Sequence, residues 1–72
     1  MKTYWQAEIY RNNELYDIDF PRREQKLDAI SDARDRLATL SARERQAATA
    51  EVSEWTEADG GSVNTGRSES VE

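Results

Sequence analysis

Residues 48 to 58 read Ala-Thr-Ala-Glu-Val-Ser-Glu-Trp-Thr-Glu-Ala, and the fold turns on whether this stretch is a strand or a helix. Thr49, Val52, Trp55 and Thr56 favour a strand, and the following Asp59-Gly60-Gly61 is a turn signal that would send a short return strand through Ser62 to Thr65. The helical alternative rests on Ala48, Val52 and Trp55, which stand at i, i+4 and i+7, with Gly60 as the C′ residue. A strand leaves Val52 and Trp55 on opposite faces unless a bulge intervenes. It also supplies the third and fourth strands that an otherwise isolated hairpin needs, and we favour it on that ground while keeping the helix as the alternative.

The hairpin in question lies upstream. Thr3 to Tyr10 is rich in aromatic and branched residues, Asn12-Asn13 can adopt the positive φ of a two-residue primed turn, and Leu15 to Phe20 resumes an alternating pattern. With that turn, Ile9 is expected opposite Tyr16, Ala7 opposite Ile18 and Trp5 opposite Phe20, all on one face. The other face carries Tyr4, Gln6, Glu8, Tyr10, Leu15, Asp17 and Asp19, with Glu8 opposite Asp17 as a like-charge pair.

Pro21 closes the second strand, and Arg22 to Leu40 has helical periodicity. Leu27, Ile30, Ala33, Leu37 and Leu40 form one stripe suited to cover the hairpin's apolar face. Ser41-Ala42-Arg43-Glu44 fits a capping box and predicts a new helical turn. The expected fold is a small α+β domain over residues 1–65, an antiparallel sheet with one helix on one face in ββαββ order. The alternative is a β-hairpin followed by two helices. Residues 66–72 are polar and read as a mobile tail.

Composition narrows the function. Leu, Ile, Val and Phe make up about 15% of the 72 residues, so the core is thin. The net charge is −5, which argues against nonspecific binding to nucleic acid or to an anionic membrane. That charge is uneven: residues 22–46 carry +2, while residues 47–72 carry −5. Without Cys there is no disulfide, thiolate nucleophile or zinc-thiolate site, and without His the commonest general base and metal ligand is missing. We therefore expect no enzyme activity and no cofactor. Met1-Lys2-Thr3 leads into no apolar run, since Gln6 and Glu8 interrupt it, and a cytoplasmic protein without a membrane span is expected.

Other chemistry is weak. Asp28, Asp32 and Asp35 share a helix face, but neighbouring arginines compete with any cation and a calcium site needs more oxygens. Asp17-x-Asp19 resembles a metal-and-nucleotide motif of some sugar transferases, though two acids with one spacer are ordinary in an acidic strand. Gly60-Gly61-Ser62 lacks the Lys-Ser/Thr ending of a phosphate loop. RNA could stack on Tyr4 and Tyr10, but Glu8, Asp17 and Asp19 share their face and would repel its backbone, so a nucleic-acid partner is disfavoured.

Carboxylates beside aromatic anchors suit a protein partner with a basic surface. The candidate docking residues are Tyr4, Glu8, Tyr10, Asp17 and Asp19 of the hairpin, with Glu54, Trp55 and Glu57 of the third strand. In size, acidity and lack of catalytic side chains the chain resembles small inhibitors made by phages and mobile elements, anti-CRISPR proteins among them. That likeness implies a noncatalytic module docking on a basic protein surface. The other expectation is a homo-oligomer whose sheets pair through an edge or an aromatic face, since small domains recover burial by association.

Overall fold

In the computed structural model, which describes residues 2–17 and 19–71, the stretch 48–58 is a strand. The elements run β1 (Thr3–Arg11), β2 (Glu14–Asp17), α1 (Lys26–Ala38), α2 (Ala42–Ala47), β3 (Ala48–Ala58) and β4 (Gly61–Val71). They form a four-stranded antiparallel sheet in the order β2-β1-β3-β4. The class is α+β as expected, but the order is ββααββ, because the capping box at Ser41 starts a second short helix. Ser41 Oγ accepts from the Glu44 amide and the Glu44 carboxylate accepts from the Ser41 amide, so the expected reciprocal cap is formed.

Alternation along β1 and β3 decides which face is the core. Ala7 and Ile9 of β1 and Ala48, Ala50 and Val52 of β3 are buried together with Ala29, Ala33 and Leu37 of α1. Five of these eight are alanines, and their small side chains let the α1 backbone lie close to the sheet. The helical stripe therefore differs from the expected one. It runs through Ala29, Ala33 and Leu37, with Ile30 and Leu40 at its margin, while Leu27 is 74% exposed.

The helix also begins later than the periodicity predicts. After β2 the chain stays beside β1: the Trp5 amide donates to the Arg23 carbonyl at 2.6 Å and the Arg23 amide donates back to Trp5 at 2.8 Å. Gln6 Nε2 donates to the Phe20 carbonyl at 2.6 Å, and the Phe20 ring enters the core. Backbone committed to an extended pairing cannot also be helical, so α1 starts at Lys26. Two ion pairs then hold α1 to both edges of the sheet. Arg23 grips Asp32 in a bidentate pair at 2.8 and 2.9 Å, and Lys26 meets Glu69 of β4 at 2.9 Å.

Both turns form as their residues dictate. Asn12 and Asn13 have φ of 53° and 67°, and Gly60 supplies a φ of 88° between β3 and β4. The β1–β2 register keeps the expected pairs Tyr10↔Leu15 and Arg11↔Glu14, but a bulge then sets Ile9 opposite Asp17 instead of Tyr16. Glu8 is thus not paired with Asp17. The expected Ala7↔Ile18 pair falls on Ile18, outside the described residues, and Trp5 is bridged to Arg23 rather than to Phe20. Gly66 to Val71, read from composition as a tail, instead complete β4, and Val71 is buried in the core.

Candidate functional site

The α-helices cover one face of the sheet, and the opposite face is the candidate site. The β1–β3 ladder brings Tyr4 opposite Trp55, Gln6 opposite Ser53, Glu8 opposite Glu51 and Tyr10 opposite Thr49. These positions alternate with the buried Ala7, Ile9, Ala50 and Val52, so all eight lie on the helix-free side. Val52 and Trp55 do take opposite faces; the irregularity of this region is borne by β4, whose register shifts between Ser53 and Trp55.

The face has two unlike ends. At one end Tyr4 is only 6% exposed, with the Arg22 guanidinium 4.6 Å above its ring and Arg22 Nη1 3.5 Å from the Glu57 carboxylate. Trp55 stands across from Tyr4, and its indole Nε1 is buried with no acceptor among the described residues. At the other end Glu8 and Glu51 stand directly opposed on the two central strands, and among the described residues neither forms an ion pair. Like charges so placed destabilise a sheet. The Tyr10 hydroxyl donates to Glu8, and that hydrogen bond, followed by burial and the negative charge of Glu8 and Glu51, pushes the phenol up to about 12. Leu15, paired with Tyr10, is 51% exposed. Between the ends lies a concavity of ≈ 450 Å³ whose walls include Gln6, Glu8, Tyr10, Leu15, Trp55 and Asn64.

Of the residues expected in a docking surface, Tyr4, Glu8, Tyr10, Trp55 and Glu57 are brought to this face. Tyr4 offers no free ring face, because Arg22 occupies it. Glu54 lies on the helix side, opposite Trp5, where its carboxylate accepts from Thr65 Oγ1 at 3.0 Å. Asp19 lines a different concavity beside Asp32, Asp35 and Arg36. The Asp17 side chain is outside the described ones. Glu51 was not expected at the site. Its parity along β3 was readable, but its partner depends on the register between β1 and β3, which no turn sets.

Asp32 of the acidic helix face is held by Arg23, and among the described residues no group of carboxylates is arranged to hold a metal ion. Among them also, no helix is long and apolar enough to cross a membrane. The fold and site define a two-layer α+β domain with one sheet face packed on a helix and the other carrying acidic and aromatic side chains. The chain matches no protein-family model, no curated protein and no solved structure.

Proposed function

We propose that this protein is a noncatalytic binding module whose helix-free sheet face docks on a basic surface of a partner protein. The observation that carries the reading is the Glu8–Glu51 opposition at the centre of the sheet, formed without a compensating cation among the described residues. Such a pair costs stability in the free protein, and a Lys or Arg from a partner entering between the carboxylates turns that cost into affinity. The exposed Leu15 beside them adds an apolar contact. Docking of this kind masks the partner's basic surface, which is how a small inhibitor of the phage or mobile-element type would act.

The test is affinity capture from native lysate by the wild-type chain and by the double variant Glu8→Gln, Glu51→Gln, with mass spectrometry of what is retained. The variant is expected to lose the wild-type partner by tenfold or more while its far-ultraviolet circular dichroism is unchanged and its melting temperature rises. Equal capture by the two chains would remove this face from consideration.

A further inference from the structure

The two edges of the sheet are protected very differently. On one side β2 is four residues long and is followed by Asp19, Pro21 and Arg22, all features that discourage a further strand from pairing. On the other side β4 is eleven residues long, has no proline, and carries one base, Arg67, and one acid, Glu69. Residues 63–70 of that strand are exposed. A bulge divides it: β3 advances from Ser53 to Trp55 while β4 runs from Ser68 back to Asn64, with Gly66 at φ 89°. Inside the bulge the Gly66 amide donates to Asn64 Oδ1 at 2.8 Å and the Arg67 amide to Thr65 Oγ1 at 3.4 Å. From Ser68 to Val71 the strand is regularly paired with β3 on its inner side only.

We infer that β4 is a self-association edge, through which a second copy of this chain adds its own β4 antiparallel about a two-fold axis at Ser68. A two-fold antiparallel ladder sets one residue against its own copy, and the choice of that residue fixes the pairs that flank it. With Arg67 or Glu69 on the axis, like charges would face each other. With Ser70 there, the Glu69 carboxylate would face the apolar Val71. With Ser68 there, Arg67 of each copy faces Glu69 of the other, twice. Among the described residues Arg67 has no ion pair, and the Lys26 contact to Glu69 Oε2 leaves the other carboxylate oxygen for the incoming guanidinium. An axis perpendicular to the sheet keeps both α1 helices on the same side, so the two sheets become one with a continuous helix-free face. The bulge keeps the ladder short, and the dimer is correspondingly weak.

Sedimentation equilibrium of the full chain from about 10 μM to 1 mM tests this. The expected mass rises with concentration from 8.3 kDa toward twice that value. Arg67→Glu and Glu69→Arg are each expected to weaken association roughly tenfold or more, since each replaces two attractions by two repulsions. An equimolar mixture of the two single variants is expected to regain it. In the mixed dimer the carboxylate introduced at position 67 of one chain faces the guanidinium introduced at position 69 of the other, and the remaining pair keeps its natural Arg67 and Glu69. Circular dichroism of each variant checks that the monomer is folded. A wild-type mass of 8.3 kDa at 1 mM, or a dimer indifferent to both substitutions, overturns the inference. So does failure of the mixture to associate when both single variants are folded. None of these outcomes depends on whether the helix-free face binds a basic partner.

Discussion

The two hairpins and the ladder between them follow opposite rules. β1–β2 and β3–β4 are each closed by a tight turn with the residues that turn demands, yet each keeps its turn-set register only near the loop and then bulges. β1–β3 has no turn and its strands are separated by the whole helical region, yet it is unbroken from Thr3↔Thr56 to Arg11↔Ala48. A turn fixes the pairs beside it through backbone geometry, and that influence ends within a few residues. The central ladder is held by burial: Ala7, Ile9, Ala50 and Val52 must all face α1 at once, and a slip of either strand by one residue would turn that strand's two outward. Where the two requirements conflict, the outer strand yields by bulging, because an edge residue loses least by leaving the ladder.

The most severe way to break this contrast is to remove the burial. Ile9 is fully buried and sits at the bulge where the turn-set register gives way. Ile9→Ala is expected to cost about 2–5 kcal/mol, a large part of a small domain's stability, measured by urea or thermal unfolding. A loss below about 1 kcal/mol would mean that burial does not govern the ladder. The turns come next. An alanine Cβ at Gly60 meets nothing within 4 Å, so the cost of Gly60→Ala comes only from its φ of 88° and is about 1–2 kcal/mol. Asn13→Ala, at φ 67°, should cost a similar or smaller amount.

Ser41→Ala removes the cap that ends the α1–α2 connection and should cost about 1 kcal/mol. The hydrogen bonds from the Ser41 backbone and side chain hold the Glu44 carboxyl below its usual range. A carboxyl depressed in the folded state stabilises above its unfolded pKa and loses that contribution as pH falls through the folded value. The gap between wild type and Ser41→Ala should therefore narrow in acid without closing, because the bond from the Glu44 amide to Ser41 Oγ does not titrate.

The central ladder also contains its own opposing term. Glu51→Gln is expected to raise stability by about 0.2–1 kcal/mol, because it relieves the opposition to Glu8. Unchanged or lower stability would show that the pair is not a cost. The smallest effect is spectroscopic. Tyr10 should titrate near 12 by phenolate absorbance, and Glu8→Gln should return it toward the ordinary 10.0. Because the folded state favours the neutral phenol, the associated stability is whole below the ordinary value and is lost as pH rises through about 12.

Much of the fold was legible, and the misses share a cause. The Asn12-Asn13 and Asp59-Gly60 turns, the Ser41 capping box and the odd-numbered apolar face of β1 are carried by neighbouring residues, and all are present. The strand at 48–58 was legible only through an argument about the whole sheet, since local spacing allowed a helix. The candidate site was legible in part. Tyr4, Glu8 and Tyr10 share a face by simple alternation, but Asp17 and Asp19 were assigned by extending the turn register past the point where it holds. Glu54 and Trp55 cannot share a docking face, because adjacent strand residues face opposite ways.

By itself the sequence determined the elements whose causes are local: where the chain turns, where α2 is capped, which residues alternate along a strand, and the surplus of negative charge on the strands. Tertiary structure decided what those elements meet. It moved the start of α1 by pairing Arg23 with Trp5, drew Gly66 to Val71 into the sheet by burying Val71, and set Glu51 rather than Asp17 against Glu8. The physical reason is range. Backbone dihedrals and caps act over a few residues, whereas burial is satisfied only by the assembled core, and the register that satisfies it placed the charges on the other face.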